Sequence, residues 1–395
     1  MNKEEKRIMT LTTGSHFLVH LFEGVLPPLI PLLITEFSTD YFHLGLVVTV
    51  FSYAFGIGSL PSGYLADKVG PRRLITLFLF GGGVLAIMVW SAGALIHYGI
   101  LMAGLGFFCS TYHPASNTLL SLGVREKGTA FGIHGIAGSL GVACVPLVSA
   151  WIGSALGWRA PHVLYGVIGI LAGIYSLTIP RYPEARIKTA EEKEKEKSFS
   201  ISYLNLVFYF LSAMSLGLTY KGIMTFLPAY MGEGVQIGSY AFDKVALGGT
   251  VATLALLSGA LGQYVMGRSV DRFQAEPLYL GAIVLGGFFV FIMAGASNLI
   301  LVLSAVMYAF FYFSTQPVQN YLLSKYLPEH RHGLGYGIHF SITFGVGSTA
   351  AAVSGYLADL FGLQSVFYAM GGCFVMSAVM AGVLLFRVSR QAADI

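Results

Sequence analysis

The feature that most constrains this chain is a succession of long apolar runs. They fall at roughly 11–35, 43–66, 73–94, 97–122, 128–156, 160–180, 201–231, 245–267, 277–296, 298–326, 333–361 and 364–386. Each is long enough to cross a hydrocarbon core of about 30 Å as a helix rising about 1.5 Å per residue. About twelve spans are therefore expected. Strands of a membrane barrel would show about ten residues of alternating polarity, and no such pattern is present. Composition points the same way. Charged residues make up 11% of the 395, against about 25% in a soluble protein. That excludes disorder, a nucleic-acid-binding surface and a soluble two-domain enzyme. Cys109, Cys144 and Cys373 all lie inside apolar runs, too far apart for a metal motif. The first run holds His16, His20 and Glu23 with no small-residue cleavage site behind it, so it reads as a span and not as a cleaved leader.

The basic residues set the orientation. With a cytoplasmic N-terminus, twenty of the 23 Lys and Arg fall in inner segments, and only Arg159 and Lys244 fall in outer loops. That bias predicts a multi-pass cell-membrane protein with both termini inside. Residues 181–200, with six bases and five acids, read as a solvated cytoplasmic linker. They divide the chain into a six-helix bundle over 1–180 and another over 201–395.

The halves resemble each other. His113-Pro114-Ala115-Ser116-Asn117 aligns with Gln316-Pro317-Val318-Gln319-Asn320, Phe131-Gly132-Ile133-His134 with Tyr336-Gly337-Ile338-His339, and Gly63 and Asp67 with Gly267 and Asp271. The offset stays between 203 and 205. Both halves begin on the same side, so the duplication is parallel, about an axis along the membrane normal.

The stretch Gly63-Tyr64-Leu65-Ala66-Asp67-Lys68-Val69-Gly70-Pro71-Arg72-Arg73 resembles the loop between the second and third helices of the major facilitator superfamily. Ser15-His16, Pro31-Leu32-Leu33 with Glu36-Phe37-Ser38, and His113-Pro114 look most like its fosmidomycin-resistance branch. The resemblance implies an all-α membrane fold of about twelve helices in two pseudo-symmetric bundles. Helices one, four, seven and ten would line a central cavity. It also implies that Asp67, with Arg72 and Arg73, locks the cytoplasmic side shut in an outward-open state. Asp271 is the second copy of that acid, and Gln274 stands where the first copy has Gly70. Antiporter branches carry a Gly/Pro pattern on the fifth helix. Gly132, Gly141 and Pro146 match it, and Val145 departs from it.

An ionisable group inside a span is costly and is a functional candidate by default. Glu23 lies about 13 residues into the first run, roughly 19 Å at helical rise. Lys221 lies similarly deep in the seventh. The alignment of Glu23-Gly24 with Lys221-Gly222 makes them repeat-related, so an acid and a base can face each other across the axis. They read either as a proton or substrate-charge switch or as a permanent structural pair. His16, His20 and Glu23 fall within an arc of about 60° on one helix face. The histidines can relay protons to Glu23, contact substrate, pack against neighbouring helices or chelate a metal. Tyr112, His113, Ser116 and Asn117 on the fourth span, with Tyr220, Gln316, Gln319 and Asn320 in the second half, are candidate substrate contacts. His134 and His339, each early in its helix, read as making a structural or gating hydrogen bond, ahead of ligand contact. Gly132, Gly135, Gly138 and Gly141 on the fifth span, and Gly345 and Gly347 on the eleventh, predict close helix packing.

Nucleophile-elbow, Walker A and H-E-x-x-H patterns are not found, so no enzyme and no cofactor is expected. The leading reading is a secondary transporter that moves a small organic solute by alternating access, with proton-coupled export first. The alternatives are proton-coupled uptake of an organic anion, with Lys221 as counter-charge, transition-metal transport, and a receptor that has lost transport. The expected partners are the substrate, protons and the bilayer, with no nucleic acid and the protein acting as a monomer.

Overall fold

The computed structural model describes residues 1–125, 127–180, 202–236, 243–327 and 332–393. The side chains of residues 67, 127–129, 332–334, 336 and 392–393 lie outside the described set. The gating candidate Asp67 is among them, and residues 181–200 are outside it altogether.

The described backbone is helical. We label α1 Lys3–Phe37, α2 Tyr41–Val69, α3 Pro71–Met88, α4 Leu95–Gly123, α5 Lys127–Leu156 and α6 Arg159–Ser176. The second half has α7 Tyr203–Gly234, α8 Lys244–Val270, α9 Ala275–Gly295, α10 Asn298–Tyr326, α11 over 332–361 and α12 Gln364–Ala393. Ten of these are long and apolar enough to cross a membrane. The other two are α6, which opens on Arg159 and His162, and α11, which is broken. Ile57, Trp90, Leu156 and Leu299 are large, apolar and exposed on the outside, as a hydrocarbon surround requires.

Local chemistry explains the interruptions. α1 begins eight residues before its apolar run because Asn2 and Glu5 form a capping box. Pro27 and Pro28 convert its middle to a 3₁₀ turn over Pro27–Leu29. α4 breaks between Cys109 and Tyr112, because the Pro114 ring crowds the carbonyl four residues back, at Ser110. α11, expected as one span, passes through a π segment at Ser341–Gly345 and a 3₁₀ turn at Val346–Ser348, where Gly345 and Gly347 weaken the helix. Gly157 closes α5 at φ +89° and Gly362 closes α11 at φ +80°. They lie 205 residues apart, so the repeat extends to the turns. It fails at the α8–α9 turn. Gly70 sits at φ +89° and its counterpart Gln274 at −62°, since a residue with a Cβ avoids the left-handed region.

In the first half α1 packs on α5, α2 on α4 and α3 on α6; in the second α7 packs on α12 and α8 and α9 on α10. The halves meet through α2 against α11 and α5 against α8. Glycines allow these approaches. A Cβ on Gly45 would enter the Ala351 carbonyl, and one on Gly249 the Pro146 carbonyl. Call the end bearing Phe37, Tyr41 and Phe361 the far end, and the end bearing Lys3 and Ala393 the terminal end. Among the described residues, hydrogen bonds between the halves run from the far end to the middle. Trp151 Nε1 donates to Thr250 Oγ1 at 2.9 Å, Leu147 N to Thr253 Oγ1 at 3.0 Å, and Thr49 Oγ1 to the Ser348 carbonyl at 2.8 Å. Toward the terminal end, Gly63, Gly132 and Gly135 face open space. The close packing expected of Gly132 and Gly135 is therefore absent, whereas Gly138 and Gly141 do pack against α1.

Candidate functional site

The site is built on the middle of α1, where three polar side chains at helical spacing all turn toward protein. Glu23 lies between a lysine and a histidine. Lys221 Nζ of α7 donates to Oε1 at 2.6 Å, and His20 Nδ1 donates to Oε2 at 3.1 Å. The pair joins the two halves. Both side chains are at least nine-tenths buried, so each charge depends on the other for compensation. The Lys221 ammonium also lies 5.6 Å from the Tyr220 ring centre and 5.3 Å from that of Phe344, within cation–π range. A cavity of about 60 Å³ borders the pair, lined by Glu23, Lys221, Tyr220, Thr225 and the prolines Pro27, Pro28, Pro146 and Pro228. It reaches from the charges toward the closed far end.

One turn before Glu23, four histidines gather. His16 stacks on His134 with ring centres 4.0 Å apart, and lies 5.1 Å from both His20 and His113. Its Nδ1 donates to the His134 carbonyl at 2.7 Å. His134 Nε2 pairs with Ser116 at 3.3 Å. Gly138 makes room for this, since a Cβ there would lie within the His16 ring.

The other candidates divide by helix face. Tyr112 is fully buried and its hydroxyl donates to the Thr12 carbonyl at 2.6 Å. Gln319 is buried and donates to the Tyr279 hydroxyl at 3.1 Å. His339 pairs with the Tyr209 hydroxyl at 3.1 Å. These three are engaged inside their own half. Asn117 and Asn320 are exposed. Gln316 accepts from Gln263 Nε2 at 2.7 Å, and Gln263 in turn accepts from Ser139 Oγ at 2.9 Å. That links α5, α8 and α10 across the halves. Arg72 donates to the Leu177 and Ile179 carbonyls at 3.2 and 2.9 Å, capping the end of α6. Arg73 is exposed and reaches back to the Val69 carbonyl, and Asp271 is exposed at the end of α8.

Sequence reasoning missed two groups. Gln263 is a lone amide within an apolar run, and the rule that singled out Gln316 applies equally to it. Asp359 carries no signal in the sequence. It looks like a surface acid at a helix end, yet it accepts from Tyr41 N at 3.0 Å and Phe42 N at 2.8 Å, across the halves.

A helical chain with repeated halves and a buried cross-half ion pair defines a class, the multi-pass membrane transporters. The sequence profile of the Major Facilitator Superfamily matches residues 12–242 and again 209–394. The chain belongs to that superfamily and is a membrane transporter of a small solute, not an enzyme. It is 25% identical over 365 residues to the fosmidomycin resistance protein of Escherichia coli K12, covering 89% of this chain and 86% of that one. It is 25% identical over 254 residues to a probable L-galactonate transporter of the same strain, a match spanning 60% of this chain and 55% of that one. A solved D-xylose–proton symporter shares the fold with a TM-score of 0.79 at 16% identity, over 96% of this chain and 97% of that one.

Proposed function

We propose that the protein is a proton-coupled antiporter that exports a small organic compound, with Glu23 as the coupling carboxylate. The observation that carries this reading is the Lys221–Glu23–His20 chain, with Nζ to Oε1 at 2.6 Å and Nδ1 to Oε2 at 3.1 Å. A proton on Glu23 removes the charge that binds Lys221 to α1. Loss of the pair loosens one of the links between halves 1–180 and 201–395, and opening the cavity to the other face lets the proton leave. His16, His20 and His113 supply a path of imidazoles from the terminal end. Substrate contact falls to Tyr220, Asn117, Gln316 and Asn320, with Tyr112, Ser116 and Gln319 holding the helices that carry them. Asp67, Arg72, Arg73 and Asp271 act as gating groups at the terminal end, and His134 and His339 as hydrogen-bonded pivots. The termini and residues 181–200 are placed in the cytoplasm by the bias of basic residues. The likeness to the fosmidomycin resistance protein over most of both chains supports export.

The experiment is transport by Glu23→Gln in proteoliposomes under an imposed pH gradient. The variant should keep solute exchange and lose gradient-driven movement. Accumulation at the wild-type rate with an unchanged pH profile would refute the role.

A second reading is proton-coupled uptake of an organic anion. Lys221 supports it, because a cation flanked by the Tyr220 and Phe344 rings suits a carboxylate once Glu23 is neutral. The similarity to a probable L-galactonate transporter supports the same solute class. Opposite signs of solute movement under one pH gradient separate the two readings.

A further inference from the structure

We propose that His16, His20 and His113 form a binding site for a late first-row divalent cation such as Zn²⁺. The three residues each offer one ligand nitrogen, and those atoms lie within 4.8 Å of one another. Proximity alone would also fit three packed imidazoles. The second observation is how the rings are held. His16 Nδ1 donates to the His134 carbonyl at 2.7 Å, and His20 Nδ1 donates to the Glu23 carboxylate at 3.1 Å. A carbonyl and a carboxylate only accept, so in the neutral ring the hydrogen sits at Nδ1 and Nε2 keeps its lone pair. This is the arrangement metal-ligating histidines use, one nitrogen anchored on a carbonyl or carboxylate and the other turned to the ion.

The rings come from two helices. His16 and His20 are one turn apart on α1, a spacing that suits chelation. His113 follows the break in α4 and meets His16 edge-on, at 87° between ring planes. All three are largely buried, and none is fully enclosed. Zn²⁺ takes bonds of roughly 2.0–2.1 Å to imidazole nitrogen, so binding draws the three rings inward. Three neutral imidazoles leave a fourth position for water or for a donor on the solute. Imidazole suits Zn²⁺, Ni²⁺ and Cu²⁺, and disfavours Mg²⁺ and Ca²⁺. The site goes beyond the transport reading, because a bound ion occupies the imidazoles that reading uses as a proton path, and its test needs no gradient and no solute.

Untagged protein purified in detergent is titrated with Co²⁺, read by its visible d–d absorption, and then with Zn²⁺ in competition. One saturable site is expected, with Zn²⁺ displacing Co²⁺ and Mg²⁺ failing to do so. His113→Ala and the milder His113→Gln should abolish the band, while His97→Ala, at an exposed position, should leave it intact. Glu23→Gln, which loses the carboxylate anchor on His20, should weaken affinity by about 10–100-fold. Each variant is first checked for a monodisperse profile in gel filtration. A band that survives both His113 substitutions in folded protein, or no band in the wild type, overturns the proposal.

Discussion

Asp359 near the end of α11 accepts the backbone N–H groups of Tyr41 and Phe42 at the start of α2. Asp40 accepts the next amide in line, that of His43, at 2.8 Å. Three of the four amides that a helix start leaves unpaired are thus satisfied by two carboxylates, one from each half of the chain. A carboxylate at a helix N-terminus also meets the positive end of the helix dipole. The far end is therefore closed by an interaction that disappears when α2 and α11 separate.

Asp359→Ala should shift the conformational balance toward a state open at the far end. Losing an acceptor for two amides costs about 1–2 kcal/mol, which is roughly a 5- to 30-fold change in population. Spin-label distances between the far ends of α2 and α11 would read it. An unchanged distance distribution would show that the glycine-mediated contact at Gly45 and Ala351 closes this end unaided.

The Glu23–Lys221 pair predicts a particular pattern of stabilities. Lys221→Ala leaves a buried carboxylate with only His20 beside it and should cost about 3–5 kcal/mol. Glu23→Gln strands the ammonium and should cost a similar amount. The double variant removes both charges and should recover much of the loss. Thermal unfolding in detergent of all four proteins closes the cycle. Additive losses would mean that the two side chains are not coupled.

Much of this was legible in the sequence, because a buried charge and a repeat offset are one-dimensional signals. Glu23 and Lys221 stand out in apolar runs, each on the first helix of its half. Helix faces were harder to read. Adjacent residues differ by about 100° around the axis, so His113 and Asn117 share one face while Tyr112 and Ser116 share another, turned into the first half. Gln319 is separated from Gln316 and Asn320 in the same way. A list of polar residues on a span merges the two faces. Asp359 and Tyr41 lie 318 residues apart, and no repeat partner or pattern announces their contact. It exists only because α2 and α11 pack.

The orientation is open to a direct test. Positive residues crowd the segments on the terminal side, so a cysteine at Asp40 should be labelled by an impermeant maleimide from outside intact cells. A cysteine at Glu192 should be labelled only after lysis. Labelling in the reverse order would invert the topology.

Gly138→Ala tests whether the position of the His16 ring matters. The new methyl group would fall on the ring, and α5 cannot retreat far because its other face is held against α8 by the bonds from Leu147 and Trp151. The ring must turn, which breaks its hydrogen bond to the His134 carbonyl. Overpacking of this kind costs about 1–3 kcal/mol, so the protein should still fold with a modestly lower melting temperature. Transport should fall as far as in His16→Ala, and combining the two substitutions should add little, since the alanine at 16 removes the clash. Full activity in Gly138→Ala would mean that His16 is packing alone.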